Sequence, residues 1–156
     1  VTVSQESVRP QSARSRNPDR EVVVLRARAS CIVIRDDRVL LMHRQRDGRE
    51  YYVLPGGGVE AGESAEQACR RELAEETPLQ AGGVRLVGRA DEESGPDDYF
   101  LIEDPTGTTR LAGPEAERDS PTNSYRLEWI GIDDLARLPL VPPTAAGMIM
   151  KAYRLV

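Results

Sequence analysis

Cysteine is scarce in this chain. Only Cys31 and Cys69 occur, each set in an apolar pattern; they read as buried free thiols, and a disulfide framework is not indicated. No apolar run approaches the length needed to span a bilayer. The first residues carry no apolar signal core, so a cytoplasmic location without membrane association is the expectation. Basic residues fall short of acidic ones: Lys and Arg total 21 against 26 Asp and Glu, for a net charge of −5 and a pI of about 5.0. Bulk nucleic-acid binding favours a basic surface, and this balance argues against it. The one histidine, His43, has no partner motif around it and reads as a packed or sheet-edge residue rather than a base. No internal repeat is visible, which argues against a repeat architecture.

What is present suits one domain with a single core: 156 residues, 39% hydrophobic and 30% charged. Residues 1–20 are polar, with Arg9, Arg14, Arg16 and Arg20 among Ser, Gln and Pro. They read as a solvated tail, or as an arm that covers a partner subunit or the site. Residues 21–156 form the expected folded domain. Glu21 to Ile34 alternates and is rich in Val and Ile, which predicts one or two strands. Asp36-Asp37 turns into a returning strand at Val39 to Met42; Asp47-Gly48 is the next turn, and Tyr51 to Leu54 a short strand feeding a glycine run. Further strands are expected near Val84 to Val87, Tyr99 to Ile102 and Tyr125 to Ile132. A short helix is expected from Asp133, and a final helix from about Thr144 to Arg154 behind Pro142-Pro143. Residues 105–124 read as a long loop broken by a short strand near Thr108 to Leu111; loops of that length are usually functional or disordered. Interspersed strands and helices predict an α/β sandwich around a mixed sheet.

The chemistry concentrates between Leu54 and Leu79. Gly56, Gly57 and Gly58 let the backbone approach a ligand closely, with amides for phosphate oxygens and carbonyls for a metal shell. Ser64 and Gln67 fit a capping box, so a helix starts at Ser64; Pro78 disfavours helix at Thr77 and stops it near Glu76. On that helix Glu72, Glu75 and Glu76 share one face, at i, i+3 and i+4. The same arc carries Ala65, Ala68 and Cys69, so the acids extend the inward stripe, while Glu66, Gln67, Arg70 and Ala74 face water. Three like charges near a helix C-terminus repel one another and oppose the dipole, by about 0.3–1 kcal/mol each at exposed sites. Divalent cations with oxygen ligands are the simplest compensation. Arg71 is a second compensator, placed to pair with Glu63 or Glu75.

Gly57, Glu63, Arg71-Glu72-Leu73-Ala74-Glu75-Glu76 and Leu79 together resemble the signature of the Nudix hydrolase family: Gly, five residues, Glu, seven residues, Arg-Glu, an aliphatic residue, any residue, Glu-Glu, any residue, Gly and an aliphatic residue. One position departs, with Pro78 where the family has Gly. That glycine suits a left-handed residue closing the helix. Proline resists positive φ, so a locally different turn is expected after Glu76, with the carboxylates undisturbed.

The resemblance implies a Nudix-type α/β/α sandwich and hydrolysis of a nucleoside diphosphate linked to another moiety, such as ADP-ribose, a nucleoside triphosphate or a dinucleoside polyphosphate. It implies Mg2+, or Mn2+, held by the Gly57 carbonyl with Glu76, Glu75 and Glu72, the last a ligand or the general base. It implies Arg71 and Glu63 as a bracing pair and a further acid from a later loop. Glu115 is the first candidate there, followed by Glu92, Glu93 and Glu103. Substrate contacts fall to Arg26, Arg28, Arg44 and the glycines Gly56, Gly57 and Gly58, while Tyr51, Tyr52, Tyr99 or Phe100 serve a base or the core. A homodimer is compatible with the family. The alternatives are a Nudix-fold nucleotide sensor without turnover, which would be expected to lose some of the acids retained here, and a plain acidic interaction domain, which leaves the loop–helix spacing unexplained.

Overall fold

A computed structural model of the chain describes residues 25–156 except 114, 115 and 117. The reading of residues 1–20 as a tail or arm, and the candidate Glu115, lie outside the described residues. Among the described residues eight strands form two four-stranded sheets. They are β1 (Arg28–Ile32), β2 (Ile34–Arg35), β3 (Arg38–Arg46), β4 (Arg49–Val53), β5 (Gly56–Gly58), β6 (Gly83–Glu92), β7 (Gly95–Glu103) and β8 (Asn123–Gly131). The first sheet runs β5-β1-β7-β6 and is mixed: β1 and β7 are parallel, the other pairs antiparallel. The second is antiparallel, with β3 between β4 and β8 and β2 continuing the hairpin. The mixed sheet expected from the sequence is present, together with a second, antiparallel sheet. Helix α1 (Ala65–Glu76) follows β5; a 3-10 helix (Ile132–Arg137) and helix α2 (Thr144–Tyr153) close the chain. No strand forms at residues 108–111.

Alternation along β1 and β7 sorts the side chains onto two faces, because successive strand residues point opposite ways. Ala29, Cys31, Phe100 and Ile102 join Ala68, Cys69, Leu73 and Leu79 in a cluster beneath α1. Ile32, Tyr99 and Leu101 join Val39, Tyr52, Leu140 and Ile149 in a second cluster that includes β3, β4 and α2. Leu73 is fully buried in the first. Truncating it to Ala would cost about 2–5 kcal/mol and loosen α1 from the sheet. The two thiols meet in this layer, Cys31 Sγ lying 3.3 Å from Cys69 Sγ, both buried and free. The hydrogen bond with Cys69, then burial, push the Cys31 thiol well above its ordinary range.

On the other face the parallel register sets Arg28 beside Asp97 and Ser30 beside Tyr99. These four residues look into a cavity of about 670 Å³ whose remaining wall includes Leu54, Arg44, Val141 and Pro142. Among the described residues no helix is long and apolar enough to cross a membrane.

Candidate active site

Helix α1 begins as its sequence dictates. The Ser64 hydroxyl accepts from the Gln67 amide at 3.1 Å, and the Gln67 side chain accepts from the Ser64 amide at 2.8 Å. With the start fixed, the last turns bring the acids against the glycine strand. Glu76, 6% exposed, accepts a 2.9 Å hydrogen bond from the Gly56 amide. The Glu72 carboxylate packs where a side chain on Gly57 would stand. Gly57 thus supplies room, whereas Gly56 is a backbone requirement: φ is +145°, and a Cβ there would overlap the Ala29 carbonyl.

Arg71 ties the assembly together. Its guanidinium donates to Glu63 at 2.6 Å, to Glu72 at 2.7 Å and to the Gly58 carbonyl at 3.0 Å. Bonding to Glu63, then Glu72, raises the Arg71 pKa further. The same arginine, followed by the Glu60 amide, holds Glu63 below the usual carboxylate range. Glu75 departs from its expected inward place. Its side chain is 51% exposed and reaches Arg71 at 3.5 Å. The i, i+3, i+4 spacing puts all three acids on one arc, but α1 rests on the sheet through Ala68, Cys69, Leu73 and Glu76, leaving Glu75 on the rim.

Pro78 lies at φ +30°, outside the range its ring ordinarily allows. Neighbouring bonds impose this. The Thr77 hydroxyl donates to the Leu73 carbonyl at 2.5 Å and accepts from the Leu79 amide at 3.2 Å. The Ala112 amide caps the Glu76 carbonyl at 3.1 Å, and Leu79 is fully buried. The ring is strained to hold the path a glycine would take freely.

Arg28 joins this assembly to the cavity. Its guanidinium donates to the Gly56 carbonyl at 3.0 Å, and its Nε lies 3.8 Å from Asp97 Oδ2. Asp97 is 2% exposed. Its Oδ2 accepts from the Ser30 hydroxyl at 2.8 Å, while Oδ1 has no hydrogen-bond partner among the described residues. Burial pushes the Asp97 carboxyl above its ordinary range and the Glu92 charge adds to this, against the Ser30 bond, Arg28 and the Tyr99 hydroxyl. Arg44 also lines the cavity, donating to the Tyr125 hydroxyl at 2.9 Å with its guanidinium over the Tyr125 and Tyr51 rings. Arg26 is exposed and outside the cavity wall. Glu92 and Glu93 line the cavity; Glu103 instead pairs with Arg85 at 2.6 Å.

Asp97 and Ser30 escape a reading by motif. Asp97 sits in Gly-Pro-Asp-Asp, which looks like a turn; its parity with Tyr99 and Leu101 is the signal that would place it on the inner face. His43 is better partnered than expected, lying 2.8 Å from Glu128 and 2.6 Å from Glu50 and stacked on Tyr52.

This geometry has known counterparts. A family model described as the NUDIX domain matches residues 24–151. The chain belongs to the Nudix family. The Nudix chain is 29% identical over 113 residues to an uncharacterized Nudix hydrolase, YvcI, of Bacillus subtilis, covering 72% of this chain and 70% of that protein. It is 42% identical over 124 residues to the NAD-capped RNA hydrolase NudC of Edwardsiella ictaluri, covering 78% of this chain but 46% of that protein. Among solved structures it resembles the MutT NUDIX hydrolase of Burkholderia pseudomallei, with a TM-score of 0.63 and 25% identity, covering 84% of this chain and 98% of that one.

The family's divalent cation has a donor set here of the right kind. Glu72 and Glu76 converge on the glycine strand, Glu75 stands at the rim, and all offer the hard oxygens that Mg2+ and Mn2+ take. Among the described residues no three acidic, histidine or cysteine side chains form a ready cage; Arg71 stands between Glu72 and Glu75 instead.

Proposed function

We propose that this Nudix chain hydrolyses the pyrophosphate bond of a nucleoside diphosphate linked to another moiety, with Mg2+ or Mn2+ held by Glu72, Glu75, Glu76 and the Gly57 carbonyl. The carrying observation is the seating of Glu72 and Glu76 against the glycine strand, one arginine away from a nucleoside-sized cavity. A diphosphate ester is already anionic, so attack by water needs neutralised charge and fixed geometry. The cation, when bound, supplies that neutralisation and activates water. The chain's own residues do the rest. Glu63 and Gly58 hold Arg71, and Arg71 holds Glu72 in place. Arg28, fixed by the Gly56 carbonyl, offers its remaining charge to phosphate oxygens at the cavity mouth. Arg44 does the same farther out. The general base is Glu72 or a later acid, Glu115, Glu92 or Glu93.

The test is a Mg2+ and Mn2+ screen of ADP-ribose, NADH, nucleoside triphosphates, dinucleoside polyphosphates and capped RNA, with products identified. Cleavage between phosphorus atoms, lost with EDTA and in both Glu75→Gln and Glu76→Gln, is expected. Full activity in both variants, or indifference to EDTA, overturns the mechanism.

A further inference from the structure

We propose that Arg46 and Arg49 form a second anion subsite, which takes a phosphate carried on the ribose of the bound nucleotide. This rests on the reading of the larger cavity as the nucleoside site. A second cavity, of about 360 Å³, is lined by Arg46, Asp47, Arg49, Tyr51 and Val141. Val141 lines both cavities, and the Tyr51 ring lies 5.4 Å from the guanidinium of Arg44, which lines the first. The two cavities therefore share a rim. The strand register explains the charge. Asp47-Gly48 is a two-residue turn with both residues at positive φ, and it sets Arg46 directly opposite Arg49. Like charges so placed repel and cost stability. Asp47 offsets one of them, at 3.6 Å from Arg46 Nε. Arg49 is exposed, and its side chain has no ion-pair or hydrogen-bond partner among the described residues. An anion shared by the two guanidinium groups removes the repulsion. Position then names the anion. Arg44 and Arg46 alternate onto one face of β3, about 7 Å apart along the strand, while Arg28 stands at the glycine strand. With the pyrophosphate at Arg28, the part of the ligand that reaches past Arg44 is the side of the nucleoside away from the pyrophosphate. A nucleobase brings no negative charge there. A phosphate on the ribose 2′ or 3′ oxygen does, as a monoester or as the diester that continues a nucleotide chain.

Calorimetry on the full chain tests this without requiring turnover. ADP is compared with its 2′-phosphate, its 3′-phosphate and an ApG dinucleotide bearing a 5′-diphosphate. At least one of the three should bind more tightly than ADP by about 5–30-fold, the product of two exposed charge pairs at the upper end of their range. The monoester and diester arms distinguish a phosphorylated coenzyme from the end of an RNA chain. The preference should shrink about fivefold in Arg46→Gln and in Arg49→Gln, and to within about twofold in the double variant. It should also shrink at high salt. ADP itself should bind the variants as it binds the wild type. Asp47→Asn, which the turn accepts, should widen the preference. Mg2+-dependent cleavage of ADP-ribose is measured beside this. Its absence in the wild type would overturn the catalytic reading while the phosphate preference is still read by binding. Equal affinities for ADP and all three phosphorylated forms, or absence of binding by all four, overturn the subsite. So does a preference that survives in the double variant. An equal weakening of ADP and its phosphorylated forms would make the two arginines structural only, and overturns it too.

Discussion

Glu76 and Asp97 are buried to nearly the same degree, at 6% and 2% exposure, and lie on strands or helices flanking the same strand β1. Their surroundings differ. Glu76 accepts from the Gly56 amide, on the strand whose Gly58 carbonyl accepts from Arg71. Asp97 is held by the Ser30 and Tyr99 hydroxyls, with Arg28 at 3.8 Å. Burial of charge is tolerable only with partners. The first side is fixed by backbone and by charged partners; the second relies on hydroxyls and a longer ion pair.

The largest effect should fall on the fixed side. Glu76→Gln keeps an oxygen for the Gly56 amide, so its melting temperature should stay within a few degrees of the wild type. Turnover with Mg2+ should drop by more than the roughly 10–100-fold typical of residues that merely support a ligand, as measured by product release. The glycines sharpen the same contrast. Gly56→Ala meets backbone at positive φ and should lose several kcal/mol in denaturant unfolding, on the order of 2–4. Gly57→Ala meets only the movable end of Glu72; it should lower kcat about tenfold or more with unfolding changed by about 1 kcal/mol or less.

On the Asp97 side the effect should fall on the pH dependence of stability. Burial raises the folded-state pKa of Asp97, so the folded protein binds this proton more tightly than the unfolded chain. The contribution is fully present below the ordinary Asp value and is lost as pH rises through the raised one. Asp97→Asn removes that loss. Its melting temperature should exceed the wild type by about 2–4 °C per kcal/mol recovered at neutral pH, and the gain should vanish in acid. The smallest effect belongs to Pro78→Gly, which relieves a strained ring but frees the unfolded chain. A net gain of about 1 kcal/mol is expected from thermal unfolding, with kcat unchanged.

Most of the fixed site was legible before the fold. A capping box, a proline stop and acids at helical spacing are local patterns, and α1 begins at the residue they name. The Arg71–Glu63 brace was legible for the same reason, since Glu63 precedes the helix and Arg71 lies on it. Glu75 was misplaced because periodicity gives angles but not the height at which a helix rests on a sheet. At Pro78 the ring's own φ preference yields to the bonds around Thr77 and the burial of Leu79, which lie beyond local pattern. The split into two sheets, and the cavity with Arg28, Ser30, Asp97 and Tyr99, depend on the parallel pairing of β1 with β7. That contact joins residues far apart in sequence, and no local pattern announces it.

That pairing has a last consequence. At Ser30, β1 carries Gly56 on one edge and Tyr99 on the other. Two strand spacings, about 10 Å in all, therefore separate the glycine strand from the strand of Asp97. Hydrogen-bond ladders do not stretch, so the sheet acts as a fixed gauge. Whatever binds across these three strands meets the glycine strand and Asp97 at a separation that the sheet itself sets.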